Sequence, residues 1–222
     1  ALKLLGNYFK HNYPKTRPPK FAPFKSNQNR ARVKIDRRKT EQTQLCLGVP
    51  GYHYQHKKLP ALSLLSIILG GNMSSRLFIN IRDKLGLAYY IKSAVNSHSD
   101  TGDFIIRAGL DKKRTIEGLE AIMFELKKLK KDGATQAELQ KAKDYLRGQT
   151  VLAMEDSSQT ASWLGGQQLF QKKIKTMEEY LKEIDKIVLG QVNSVAQELL
   201  IADKLNLALI GDFSSNQPFL KR

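Results

Sequence analysis

Two different spacings of apolar residues divide this chain into short strands and amphipathic helices. Between residues 32 and 47 apolar and polar residues alternate, which is typical of strands with one buried face. Beyond residue 115 apolar residues recur every three or four positions, which is typical of helices that pack on one side. Two capping-box signatures mark helix starts in this second part: Thr135 with Glu138, and Thr176 with Glu179.

Between these two parts the pattern changes twice. A helix rich in Leu and Ile is predicted from about Leu59 to Leu69, and two alternating segments, near residues 89–95 and 104–110, predict an antiparallel hairpin. A buried strand is predicted near the end of the chain, at residues 204–211. Strands and helices in separate blocks predict an α+β fold, with a mostly antiparallel sheet and helices packed on one face.

The corner between the Leu-rich helix and the hairpin contains two candidate site residues. A short helix is predicted at residues 75–84, Gly86 ends it, and a strand follows. Regular alternation places Tyr89 and Ile91 on the same face of that strand. Arg82 lies in the last turn of the short helix, and Tyr89 opens the strand seven positions later.

Arg82 and Tyr89 together suggest binding of a peptide carbonyl group. A guanidinium and a phenol that converge on one pocket can donate hydrogen bonds to an oxygen atom as it becomes negative. The pattern alone favours a simpler structural interpretation. In that interpretation Arg82 neutralises the helix dipole, and Tyr89 is a half-buried aromatic residue of the strand.

This corner carries the strings Gly-Gly-Asn-Met-Ser-Ser-Arg-Leu-Phe and Ile-Arg-Asp-Lys-Leu-Gly-Leu-Ala-Tyr. They resemble the second, zinc-free half of the pitrilysin/insulinase/mitochondrial processing peptidase family, the M16 metallopeptidases. The resemblance extends from about Thr40 to Phe213. It implies one half of a clamshell with the LuxS/M16 peptidase-like fold. In the family this half contributes an arginine and a tyrosine to the substrate, and they fall on Arg82 and Tyr89.

The same resemblance implies that the catalytic zinc of the complete enzyme is bound by the other half, on an inverted H-x-x-E-H helix. We therefore expect no cofactor in this chain and no peptidase activity from it alone. Its implied partners are the zinc-bearing N-terminal half, in the same chain or as a separate subunit, and a peptide or unfolded protein substrate. None of the four histidines lies in such a motif: His11, His53, His56 and His98.

Two hypotheses about function follow from this resemblance. The favoured one is the C-terminal half of a zinc-dependent endopeptidase, which supplies substrate-binding and transition-state-stabilising residues. The alternative is a non-catalytic structural or assembly subunit with the same fold. Such a subunit has no need of Arg82 and Tyr89, so the presence of this pair favours the enzyme.

The strong positive charge suggests a third hypothesis, a basic module that binds nucleic acid or an anionic surface. The formal net charge is +16, but the first 40 residues hold 12 Lys and Arg residues against one Asp, so +11 of the total lies there. Aromatic residues for base stacking are not interleaved with these charges, so we expect no specific nucleic-acid binding. Four prolines lie between residues 14 and 23, which is typical of an extended linker.

These features predict the domain organisation and the compartment. Residues 1–39 are interpreted as the end of a preceding domain's helix plus a proline-rich basic linker, and residues 40–222 as the domain itself.

No apolar run approaches the roughly 18 residues of a membrane span. The single cysteine, Cys46, excludes an internal disulfide and is predicted to be buried in a strand, so a cytoplasmic location is inferred. The chain begins at Ala1 rather than methionine, so its true N-terminus is not established.

Overall fold

A mixed five-stranded sheet forms one layer of the fold in the computed structural model, which describes residues 2–9, 21–171, 173–213, 215 and 219. The strands are β1 (Arg32–Arg37), β2 (Gln42–Pro50), β3 (Ala88–Ser97), β4 (Gly102–Asp111) and β5 (Asn206–Gly211). Their order across the sheet is β1-β5-β2-β4-β3. Three neighbouring pairs are antiparallel, and β1 with β5 is parallel. The mostly antiparallel sheet and the β3–β4 hairpin predicted from the sequence are therefore confirmed.

Helices make up most of the second half of the chain. Two π-helical segments, Ile67–Gly71 and Phe78–Lys84, flank the predicted corner, and a short 3₁₀ turn spans Ala202–Lys204. Both predicted capping boxes are present, at the starts of the two helices that follow Thr135 and Thr176. The α-helices are α1 (Leu2–Phe9), α2 (Leu59–Ser66), α3 (Thr115–Asp132), α4 (Gln136–Met154), α5 (Ser157–Phe170), α6 (Met177–Asp185) and α7 (Leu189–Leu199).

The hydrophobic core lies between one face of the sheet and the helices. In β2 and β4 every second side chain is buried in it, and the cluster continues into α2, α3 and α7. Burial of this continuous apolar layer is the main source of stability for such a fold. The core-facing residues of the central strands are Leu45, Leu47, Val49, Phe104, Ile106, Ala108, Leu110, Leu207 and Leu209.

The other face of the sheet, which we call the open face, carries mostly exposed or half-exposed side chains. One row across it runs through Lys92, Arg107, Cys46, Ala208 and Lys34, which are cross-strand partners in that order. A cleft of about 820 Å³ borders this face beside the segment that precedes β1. The prediction that Cys46 is buried was wrong, because it points to the open face and is only half buried.

Residues before position 40 contribute to the sheet. β1 pairs with β5 along its whole length, so Arg32–Arg37 forms part of the same sheet as the strands that follow residue 40. The helix predicted near the start of the chain is present as Leu2–Phe9. Most of the proline-rich stretch, at residues 10–20, lies outside the described residues. Among the helices that the structure describes, none is long and apolar enough to cross a bilayer.

Candidate functional site

Arg82 lies near the end of the π-helix Phe78–Lys84 and is exposed. Its guanidinium carbon lies 4.7 Å from the centre of the Phe78 ring, one turn earlier, in a cation–π contact. Ile81, next to it, is fully buried and fixes the helix against the core. Arg82 forms no hydrogen bond or ion pair with the residues that the structure describes. Its N–H groups are therefore held in place by the ring and are available to a ligand.

The link from Arg82 to Tyr89 is short and held by the backbone. Gly86 has a φ of +60°, in the left-handed region that glycine tolerates and that often ends helices. Leu87 follows it and is buried. The Leu87 N–H donates to the Ile81 carbonyl at 3.0 Å, and the Leu87 carbonyl accepts from the Asp111 N–H at 3.1 Å. These contacts tie the end of the helix to the end of β4.

Tyr89 is the extra residue of a β-bulge in the edge strand β3. Ala88 is opposite Leu110 and Tyr90 is opposite Gly109, so Tyr89 has no partner in β4. The bulge interrupts the alternation, and the expectation that Tyr89 and Ile91 share a face was wrong: Tyr89 is 57% exposed, whereas Ile91 is 5% exposed. Bulges commonly re-aim a side chain beside a binding site. No hydrogen bond is formed by the Tyr89 hydroxyl within the described part of the chain.

Tyr90 and Gly109 hold the bulge in place, and sequence analysis did not identify either as part of the site. The Tyr90 hydroxyl donates to Gln44 Oε1 at 2.6 Å, so its ring lies across Gly109 in the strand between them. A Cβ atom at position 109 would lie 2.7 Å from the Tyr90 ring. The only sequence signals are the Tyr89-Tyr90 pair and the Gly109 that interrupts the strand pattern.

The arrangement places two kinds of donor at one corner of the sheet. A guanidinium offers a fork of N–H groups, and a phenol offers a single O–H. Both side chains are exposed, and the helix end, the left-handed glycine and the bulge fix their backbones. Donors that are positioned before the substrate arrives can stabilise negative charge on a carbonyl oxygen without reorganisation.

The start of the corner is anchored by Arg76, which sequence analysis did not single out. Its guanidinium donates to both carboxylate oxygens of Glu138 at 2.6 and 2.8 Å, and to the Gly133 carbonyl at 2.9 Å. Burial raises the pKa of Glu138, but hydrogen bonds from Arg76 and Thr135 outweigh this and lower it to about 2. The ion pair therefore joins the corner to the first turn of α4.

The close histidine pair stabilises a loop. His53 Nδ1 accepts the Gln55 N–H at 3.2 Å, and His56 Nδ1 accepts the Lys58 N–H at 3.1 Å. The His56 ring also stacks on Tyr52 with centroids 4.0 Å apart. Burial first, and the neighbouring His53 second, lower the pKa of His56.

The residues present do not fit a zinc site in the described part of the chain. No group of three or more His, Cys, Asp or Glu side chains there is placed to hold a metal ion. Zinc requires three or four such ligands in tetrahedral geometry. His11 lies outside the described residues.

The sequence also matches a known family. Residues 1–146 match the family model described as the Peptidase M16 inactive domain. An uncharacterized zinc protease of Bacillus subtilis is 37% identical over 186 residues, which cover 83% of this chain and 45% of that protein. An uncharacterized zinc protease of Mycobacterium leprae is 36% identical over 202 residues, which cover 90% of this chain and 44% of that protein. The chain therefore spans less than half the length of these two relatives.

Solved structures show the same fold. A protease from Helicobacter pylori matches with a TM-score of 0.83 and 25% identity, over 94% of this chain and 51% of that chain. A peptidase M16 inactive domain from Pseudomonas fluorescens matches with a TM-score of 0.76 and 24% identity, over 84% of this chain and 44% of that chain. Sequence and fold agree, and this chain belongs to the M16 peptidase family as an inactive domain of the C-terminal type found in zinc protease-like proteins.

Proposed function

We propose that this chain is the C-terminal half of a zinc-dependent endopeptidase and supplies Arg82 and Tyr89 to an active site whose zinc is bound by the other half. The observation that carries the proposal is the state of these two side chains. Both are exposed at one corner of the sheet, where the backbone is fixed. Neither side chain donates a hydrogen bond to any residue in the described part of the chain. Relatives about twice as long, named zinc proteases, leave room for a second half.

Tyr89 is assigned to the scissile carbonyl group. When that carbonyl is attacked, its oxygen becomes negative, and a neutral phenol can donate an O–H to it throughout the reaction. The bulge presents the Tyr89 side chain outside the regular strand pattern. The zinc ion on the other half would supply the activated water.

Arg82 is assigned to a neighbouring carbonyl of the same peptide. Its charge and several N–H groups suit a fixed contact that holds the substrate in register during the reaction. The Phe78 ring restricts the guanidinium before substrate binds, which lowers the entropy cost of that contact. The non-catalytic alternative leaves this free, positioned pair without a role.

The first test is complementation between the two halves. Hydrolysis of an internally quenched peptide by the companion zinc-binding half is measured while this chain is titrated in. We expect cleavage only with both halves, saturation near equal amounts, and loss of activity with a zinc chelator. A companion half that binds this chain but cuts no peptide would favour the structural alternative.

The second test removes one hydroxyl group. Tyr89→Phe in the complete two-half protein should lower kcat about a hundredfold and change KM little, because the lost donor acts mainly in the transition state. Tyr54→Phe is the matched control, since it removes the same group from a tyrosine at the opposite end of the β3–β4 hairpin, where the Tyr54 N–H donates to the His98 carbonyl and the ring stacks on Phe170. An unchanged kcat in Tyr89→Phe would exclude Tyr89 from the mechanism.

A further inference from the structure

Two positive charges lie side by side on the open face, one strand apart. Lys92 in β3 is the direct cross-strand partner of Arg107 in β4, and both side chains are exposed. Like charges at directly opposed positions repel each other and destabilise a sheet. Neither side chain forms an ion pair or a hydrogen bond with any residue that the structure describes. The pair therefore contributes no ion pair and no hydrogen bond to the folded structure.

The surroundings of the pair offer no counter-ion. The nearest acidic residues along β4 on this face are Asp103 and Asp111, each four positions from Arg107. Asp103 already accepts a hydrogen bond from Asn96 Nδ2 at 2.6 Å, and Asp111 accepts one from the Lys113 N–H at 2.7 Å. The neighbouring positions of the pair on the open face carry no carboxylate: Tyr90, Ala94, Ile105, Gly109 and Cys46. The pair is thus an uncompensated positive site on a strand surface.

The position of the Lys92–Arg107 pair, relative to the corner that carries Arg82 and Tyr89, indicates what the pair binds. Lys92 follows Tyr89 by three positions in the same strand, which corresponds to roughly 10 Å at about 3.3 Å per residue. Tyr90, which follows Tyr89 in the bulge, is opposite Gly109, and Gly109 shares the open face with Arg107. A peptide held by Tyr89 and lying along this face would bring side chains within about three residues of the scissile bond to the pair.

We propose that Lys92 and Arg107 form a subsite for a carboxylate of the peptide substrate, within about three residues of the cleaved bond. This inference rests on the proposed function for the location of the cleaved bond. A carboxylate bridging the two cations would remove their repulsion and accept charge-assisted hydrogen bonds from both. The carboxylate comes either from an acidic side chain or from the C-terminus of the peptide.

The test compares peptides that differ in one charge. Internally quenched peptides of one scaffold carry Glu or Gln at each position within three residues of the cleaved bond, and each has a free or an amidated C-terminus. The complete two-half protein should prefer the carboxylate form by about 3- to 10-fold in kcat/KM, as expected for a partly desolvated ion pair. A preference for Glu over Gln identifies an acidic side chain as the recognised carboxylate, and a preference for the free over the amidated C-terminus identifies the terminal carboxylate.

Two variants with the same change in charge locate the effect. In the double variant Lys92→Gln with Arg107→Gln, the ratio of kcat/KM for the carboxylate peptide to that for the neutral peptide should fall close to one. Arg32→Gln with Lys34→Gln is the matched control, since it removes one Arg and one Lys from the far edge strand of the same sheet. That control should keep the full preference. Equal loss in both double variants would assign the effect to the overall field of the protein and overturn the subsite.

A binding measurement separates this inference from the proposed function. Fluorescence anisotropy of the labelled peptides is recorded with the chelator-treated complete protein, which reports affinity without cleavage. A carboxylate preference there, lost only in the Lys92/Arg107 double variant, supports the subsite even if Tyr89→Phe leaves kcat unchanged. No preference in either measurement overturns it, even if Tyr89→Phe abolishes cleavage.

Discussion

The two candidate site residues depend on neighbouring side chains for their positions. Arg82 is restrained by the Phe78 ring, and Tyr89 by the bulge that Tyr90 and Gly109 maintain. Fixed donors stabilise a transition state more than mobile ones, because they need no rearrangement during the reaction. The proposed activity should therefore be sensitive to small shifts beside Tyr89.

Gly109→Ala tests this sensitivity. The added Cβ would lie 2.6 Å from Gln42 Oε1 and 2.7 Å from the Tyr90 ring, so both side chains must shift, and we expect the shift of the ring to disturb the bulge. We expect kcat of the complete protein to fall about tenfold with little change in KM. In a Tyr89→Phe background the same substitution should have almost no further effect on kcat, because it acts through the Tyr89 hydroxyl.

Gly48→Ala is the control for Gly109→Ala. Its Cβ would lie 2.8 Å from the Ile105 side chain, which is a comparable clash on the same face, away from Tyr89. It should lower stability without lowering kcat. Additive effects of Gly109→Ala and Tyr89→Phe on kcat would show that Gly109 does not position the tyrosine.

Residue types and spacing marked Arg82 and Tyr89, and the family resemblance selected them as candidates, but neither predicted how they are held. Regular alternation put Tyr89 on the side of Ile91, since a pattern with a two-residue period cannot show an inserted residue. Tyr90 and Gly109 matter through a cross-strand contact, and the partner strand follows β3 only after the intervening loop. Such register-dependent contacts are not readable from local pattern.

At the scale of elements, local chemistry predicted the helix starts well. Both capping boxes lie where the Thr and Glu spacing put them, because the cap depends on only four consecutive residues. The π-helical turns at Ile67–Gly71 and Phe78–Lys84 were not predicted. Apolar spacing of three and four residues fits an α-helix equally well, so the wider hydrogen-bonding pattern has no distinct sequence signal.

The Arg76–Glu138 ion pair joins two elements, and Glu138→Gln tests its contribution. The side chains are only 13% and 29% exposed, and Arg76 Nη1 is buried without a hydrogen-bond partner. Loss of the carboxylate leaves a buried guanidinium uncompensated. We expect the free energy of unfolding at neutral pH to fall by about 2 kcal/mol.

The pH dependence gives a second measurement of the same pair. Because folding lowers the pKa of Glu138 from 4.5 to about 2, its contribution is complete above pH 4.5 and is lost as the pH falls toward 2. The free energy of unfolding, measured with denaturant, should therefore fall more steeply between pH 4.5 and pH 2 in the unaltered protein than in Glu138→Gln. Glu117→Gln, which breaks the surface pair with Arg114, is the control. Parallel pH profiles would contradict the assignment.

At the scale of the whole molecule, the segments near the two ends of the described chain meet at one edge of the sheet. β1 is an edge strand, and β5 is its only partner in the described sheet. The segment before β1 is held by Gln28, which is buried although its neighbours are exposed. Nothing in the local sequence marks Gln28, because its partners lie about 175 positions later. The resemblance to the family predicted the general architecture, but not that Gln28 binds the segment before β1 to the segment that leads into β5.

Gln28→Ala should release this edge of the sheet. The Gln28 side-chain amide donates to the carbonyls of Asp203 and Leu205 at 3.1 and 3.3 Å, and its oxygen accepts from Asn206 Nδ2 at 3.0 Å. Removing the side chain takes away these three partly buried hydrogen bonds, at a total cost of about 2 kcal/mol. Hydrogen exchange measured by mass spectrometry should accelerate about thirtyfold in β1, if β1 opens locally.

The central strands decide whether this opening is local. Exchange in β2 and β4 should change little in Gln28→Ala, since β2 pairs with β4 and β5 independently of β1. Asn29→Ala, an exposed neighbour, is the control and should leave exchange in β1 unchanged. Equal acceleration in β1 and in the central strands would mean that β1 unfolds only with the whole domain. In that case Gln28 would stabilise the entire fold rather than the attachment of its first strand.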